Sequence, residues 1–74
     1  MKRVPTDSRV IASMGYDPVW HVLEIEFRNG EIYDYFDVPA DEYAALCSAP
    51  SKGAYLNSVF KPKNYRVERK DPSA

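Results

Sequence analysis

Polar and apolar positions alternate most regularly between Val19 and Val38. Leu23, Ile25 and Phe27 alternate with Glu24 and Glu26, the period of a strand with one polar face. Ile32 to Val38 is apolar on both faces, with Tyr33 and Tyr35 on one side and Ile32, Phe36 and Val38 on the other. Arg28-Asn29-Gly30 lies between the two runs, and Asn-Gly in that place predicts a hairpin because both residues tolerate positive φ. A two-residue turn would pair Ile25 with Asp34 and put that carboxylate on the Leu23/Ile25/Phe27 face. A three-residue loop with Gly30 left-handed pairs Phe27 with Glu31, Ile25 with Tyr33 and Leu23 with Tyr35. Burying an unpaired carboxylate costs several kcal/mol. Leaving Ile32 and Phe36 half-exposed forgoes only about 1.5–3 kcal/mol each. The three-residue loop is therefore expected, with Tyr33 and Tyr35 on the buried face.

The rest of the chain reads as additions to this hairpin. Ser8 to Tyr16 carries Val10, Ile11 and Met14 with few charges and predicts a strand, bent or bulged at Gly15. Asp17-Pro18 is a turn signal, after which Trp20, His21 and Val22 open the next strand. Val38 to Ala49 predicts a helix, with Pro39 in its first turn, Asp41 and Glu42 at its positive end, and Tyr43, Leu46 and Cys47 as one apolar stripe. Pro50 ends it. Ser51 is placed to cap a second helix, Lys52 to Phe60, in which Gly53 allows close backbone approach to the sheet. Residues 64–69 read equally as a short edge strand or as tail. Residues 1–7 are expected to fray and residues 70–74 to be disordered. The predicted fold is α+β: a three-stranded antiparallel meander, four-stranded if 64–69 pairs, packed on two short helices, in one domain spanning residues 8–69.

Composition changes this picture little and charge changes it more. At 74 residues there is room for one core. The single cysteine, Cys47, admits no internal disulfide and reads as a buried small hydrophobe, so a reducing, cytoplasmic compartment is expected. The N-terminus lacks the apolar run of a signal peptide, and no stretch has the ~20 apolar residues of a membrane span. Residues 1–49 carry four Lys or Arg against nine Asp or Glu, a net −5, whereas residues 50–74 carry six against two, a net +4. That asymmetry nominates a basic contact face.

The sole histidine, His21, has no Cys or second His for a metal site and no defined Ser-Asp context. No catalytic, cofactor-binding or metal-binding residue is nominated, and an enzyme is not expected. Two kinds of contact are. Lys52, Lys61, Lys63 and Arg66, with Tyr55 and Tyr65 between them, are the candidate nucleic-acid contacts, since phosphates need clustered cations and unpaired bases stack on aromatic faces. Trp20, Val22, Ile32 and Phe36, on a face shared with Glu24, Glu26 and Asp34, are the candidate protein-contact patch. On the residues alone a non-enzymatic protein-interaction module is the first reading and an RNA-binding module the alternative.

One ordered string covers most of the chain: Ser8 and Ile11, Gly15-Tyr16-Asp17, Leu23, Ile25 and Phe27, Asn29-Gly30, Tyr33 and Tyr35, Val38-Pro39, Tyr43, Leu46, Ala49, Ser51, Gly53, Tyr55 and Asn57. In this spacing the chain resembles the KTSC domain family, named for a module at the C-terminus of some bacterial lysyl-tRNA synthetases and also found as short single-domain bacterial proteins. The resemblance implies a small α+β domain without established chemistry. It implies RNA binding only through the synthetase context. Tyr33, Tyr35 and Gly30 match the centre of the family pattern, and the register argument makes them structural.

Overall fold

The computed structural model describes residues 2–70. Five antiparallel strands follow one another across a single sheet: β1 (Val4–Pro5), β2 (Ile11–Asp17), β3 (Val22–Phe27), β4 (Ile32–Tyr35) and β5 (Val67–Lys70). Between β4 and β5 run α1 (Ala40–Ser48) and α2 (Lys52–Tyr55). α2 continues without a break into a π-helical turn at Leu56–Phe60 and a 3-10 turn at Lys61–Lys63.

The β3–β4 hairpin has the expected register: Leu23 faces Tyr35, Ile25 faces Tyr33 and Glu24 faces Asp34. The Phe27 N–H donates to Glu31 O at 2.8 Å and the Gly30 N–H to Phe27 O at 2.9 Å, closing the three-residue loop with Gly30 at φ +91°. The inner face then presents Met14, Leu23, Ile25 and Tyr35 to Leu46, Leu56 and Phe60 of the helical layer. Phe60 meets the Tyr35 ring edge-on at 4.9 Å. Burying a side chain of this size stabilises by about 1.5–3 kcal/mol, and these residues form the core.

Several boundaries differ from expectation for physical reasons. Residues 4 and 5 do not fray; Val4 pairs with Met14 and Pro5 with Ser13. Gly15 makes this possible, because a Cβ there would stand 2.5 Å from the Lys2 carbonyl oxygen. Gly15 itself is paired in register with Glu24, and the strand irregularity falls between Ile11 and Ser13. Trp20 and His21 do not open β3. They lie in the β2–β3 turn, where Asp17 Oδ1 accepts the N–H groups of Val19 (2.9 Å) and Trp20 (3.1 Å) and His21 takes φ +56°. Residues 64–69 resolve toward the strand reading, shifted to Val67–Lys70, so Lys70 belongs to the sheet and the expected tail from Asp71 on lies outside the described residues.

In α1 the buried pair is Glu42 and Leu46, and Cys47 is exposed. The inward stripe is Glu42, Tyr43 and Leu46 in place of Tyr43, Leu46 and Cys47, about half of one 100° residue step of helix rotation, so Leu46 keeps its expected core place, Glu42 turns in and Cys47 turns out. Ser51 caps α2 as expected, its Oγ accepting the Ala54 N–H at 3.2 Å. A Cβ on Gly53 would lie 2.8 Å from Val10 Cγ2, so this glycine is the close contact between α2 and the start of β2.

Candidate nucleic-acid interface

Three polar assemblies stand on this scaffold, and they divide the sequence-nominated residues among them. The first is inside the helical layer. Glu42 is 5% exposed. Its carboxylate accepts from the Tyr55 and Tyr65 hydroxyls, the latter at 3.0 Å, and pairs with Lys63 Nζ at 2.6 Å. Burial alone would raise the Glu42 pKa, but the Lys63 ammonium and the two hydroxyls outweigh it and hold the group below its ordinary value. Burial, then the hydrogen bond to Glu42, pushes Tyr65 up to about 12. The Tyr65 ring also packs on Phe60 at 4.9 Å. Tyr55, Tyr65 and Lys63 are thus engaged in a clip joining α1 to the chain on either side of the 3-10 turn.

The second is the outer sheet face. Gly15, Glu24, Asp34 and Glu68 stand in one row across β2 to β5. Arg3 and Lys70 (Nζ–Oε2 3.0 Å) both grip the buried Glu24 carboxylate. Arg3 also donates to Ser13 Oγ at 3.0 Å, and Ser13 donates on to Glu26 at 2.8 Å. Burial, then the neighbouring Glu24, pushes Asp34 up to about 6. Of the nominated protein-contact residues on this face, Ile32 is 7% exposed and buried rather than half-exposed. Phe36 lies under the Arg66 guanidinium, 4.4 Å from its ring centre. Val22 is half-buried, and Trp20 stands off at the turn, 74% exposed. The four do not form one open apolar patch, because Arg66 covers one member and burial removes another.

The third assembly is one the sequence did not nominate. The helical layer leaves one end of the inner face uncovered, since Leu23 and Ile25 are fully buried while Phe27 and Tyr33 on the same face are only half-buried. An open groove of about 530 Å3 runs there, floored by Phe27, Tyr33, Tyr35 and Val67. Arg9, Arg28 and Lys61 line its rim. Tyr33 and Phe27 are half-buried, with rings edge-to-face at 5.7 Å. Arg28 is held in place, donating to Ser8 O at 3.0 Å and Thr6 O at 2.8 Å. Glu31, the acidic residue of the lining, pairs with Arg69 at 3.3 Å. Ion pairs among the described residues engage Arg3, Lys63, Arg69 and Lys70, and Arg9, Lys52 and Lys61 are outside them. The nominated Lys61 is brought to the groove, Lys52 lies in a neighbouring depression, and Arg66 points to the other face. Arg9, Phe27 and Arg28 were legible only as a strand residue, a core residue and a turn residue.

Among the described residues, no group of three or more His, Cys, Asp or Glu side chains could hold a metal ion, and no helix is long and apolar enough to cross a membrane.

The fold and this surface define a small α+β domain with a charge-paired sheet face and a basic aromatic groove. The chain belongs to the KTSC domain family, whose model matches residues 7–65. It is 36% identical to a KTSC domain protein from Yersinia pestis of known crystal structure, with a TM-score of 0.89 over 95% of this chain and 97% of that one. It is 46% identical to an uncharacterized protein of Stutzerimonas stutzeri, over 96% of this chain and all of that one. It is also 39% identical to a lysine–tRNA ligase of Nostoc punctiforme, over 77% of this chain and 10% of the ligase.

Proposed function

We propose that this KTSC domain is a non-enzymatic, cytoplasmic binding module for single-stranded RNA, and that the inner-face groove is its contact surface. The observation that carries this reading is the juxtaposition of Phe27 and Tyr33 with Arg9, Arg28 and Lys61 in one open groove. A phosphate backbone is held by clustered cations and unpaired bases stack on aromatic faces, so the two features together fit a single strand. The outer face, where Arg3 and Lys70 pair with Glu24 beside Asp34 and Glu68, offers no such excess of cations. The match within lysine–tRNA ligases supports the direction, since tRNA is in those enzymes' name.

This reading moves the contact away from Tyr55, Tyr65 and Lys63, which Glu42 engages, and toward Arg9, Arg28, Lys61 and Tyr33. The test is a titration of fluorescent single-stranded RNA and of transfer RNA at two salt concentrations. Binding tighter than about 100 μM at low salt is expected, weakening as salt rises. Arg9→Glu and Lys61→Glu should each weaken binding and flatten the slope of log affinity against log salt by about 0.7–1. No binding at low salt, or binding indifferent to both reversals, rejects the groove.

A protein contact is the second reading, favoured by the adjacent Val19 and Trp20, which are 79% and 74% exposed on a turn ordered by Asp17. Trp20→Ala should leave RNA affinity within about twofold under the first reading, since Trp20 is not among the groove residues.

A further inference from the structure

The groove does not end at Arg9. A second depression of about 510 Å3 adjoins it, and Arg9 and Val10 line both. Its other walls include Ser8, Lys52 and Asn57. The two halves differ in chemistry. The first has the aromatic floor of Phe27 and Tyr33 with Lys61 at its edge. The second has no aromatic lining residue and mixes apolar Val10, Pro50 and Ala54 with the Asp7 carboxylate, an exposed Asn57 amide and the Lys52 ammonium. Both fall within the size range of small-ligand pockets. Arg9 is exposed and outside the ion pairs of the described residues, so its guanidinium is available at the boundary between them.

We infer that the site takes two successive nucleotides of one strand. The 5′ base stacks on Tyr33 and Phe27, Arg9 holds the phosphate on its 3′ oxygen that joins the two, and the second nucleoside lies in the other half beside Asn57, so the 5′-phosphate of a lone stacked nucleotide falls on the Lys61 side. The inference rests on the RNA reading and deepens it. The ligand is a strand with a splayed base and a bent backbone, and a duplex, whose bases are stacked on one another, presents neither.

A comparison of adenosine 5′-monophosphate with the dinucleoside monophosphate ApA separates this arrangement from simple charge attraction. AMP carries more negative charge, so attraction alone ranks it at or above ApA. The two-nucleotide site ranks ApA about tenfold tighter, the size of one added directed contact. NMR titration of the whole chain reads both affinities, and the Asn57 side-chain amide should shift with ApA and not with AMP. Arg9→Gln should remove the ApA advantage while leaving AMP affinity within about twofold. Lys61→Gln, beside the stacked nucleotide, should weaken both ligands together. ApA binding no tighter than AMP, or Arg9→Gln weakening both equally, overturns the inference and leaves a single-nucleotide groove. Binding of longer RNA with no groove shifts from either small ligand also overturns it while sparing the RNA reading. No binding by any of the three ligands removes both.

Discussion

Two carboxylates, Glu42 buried and Asp34 half-buried, show how acidic side chains acquire opposite behaviour from their neighbours. Glu42 faces an ammonium and two hydroxyls and is held low, whereas Asp34 faces Glu24 across the strand pair and is pushed up to about 6. Asp34 has a folded pKa above its ordinary value of 3.8, so its contribution is fully present below pH 3.8 and is lost as pH rises through about 6. Glu42 and Glu24 are lowered from 4.5, so their contributions are present above pH 4.5 and are lost as pH falls through their lower folded values. Asp34→Asn should therefore stabilise the domain at pH 7 by about 1 kcal/mol after discounting for solvent screening. That advantage should shrink between pH 7 and pH 5, as urea unfolding at the two values would show. An equal advantage at both would mean that Asp34 titrates normally. Glu42→Ala leaves the half-buried Tyr55 and Tyr65 hydroxyls and Lys63 without their buried partner and should cost about 1–3 kcal/mol. The two family tyrosines should separate as well. Tyr35, 8% exposed and packed on Phe60, should cost about 3–5 kcal/mol when changed to Ala. Tyr33, half-buried in the groove, should cost distinctly less.

At the scale of elements, a two-residue strand survives at the sheet edge because glycine lets it approach and arginine ties it down. Gly15 gives the Lys2 carbonyl its place, and Arg3 reaches over Gly15 to Ser13 and the buried Glu24. Lys70 grips the same carboxylate from β5, so one acidic side chain on a central strand fastens both edges. Gly15→Ala puts a methyl against backbone rather than against a flexible side chain, and overpacking of that kind costs about 1–3 kcal/mol. The expected signature is local: faster hydrogen exchange at the Thr6 amide, which donates to Ala12 O at 2.9 Å, with the Ile25 and Tyr35 amides still protected. Uniform loss of protection would mean that β1 is not a separable edge.

Over the whole molecule, the outer face balances its charges and the groove does not. Glu24, Asp34 and Glu68 lie in one row on the outer side, but Arg3 and Lys70 pair with Glu24 and Arg66 covers Phe36 there, whereas Arg9, Arg28 and Lys61 gather at the groove around one paired carboxylate, Glu31. A polyanion approaching this domain meets its excess of cations at the groove, which orients it before contact. Glu68→Lys, on the exposed outer face of β5, should therefore change RNA affinity less than about threefold, while Lys61→Glu should change it more. Comparable effects from the two would show that net charge, and not the groove, governs binding.

Local alternation and turn chemistry were enough to specify the hairpin. Asn29-Gly30 and the position of Asp34 selected the register without reference to anything distant, because a one-residue slip exchanges the two faces. The Ser51 cap and the two helices were legible for the same reason, being set within a few residues. What the tertiary structure decided is how much of the sheet those helices cover and which charges find partners. Phe27 and Tyr33 carry the same pattern as Ile25 and Tyr35, yet only the second pair lies under the helical layer. Tyr55, Tyr65 and Lys63 look free in the sequence and meet at Glu42, while Arg9 and Lys61, 52 positions apart, line one groove. Periodicity says which side of an element a residue faces. Whether that side meets another element depends on lengths and packing angles summed over the chain, and no local window contains that sum.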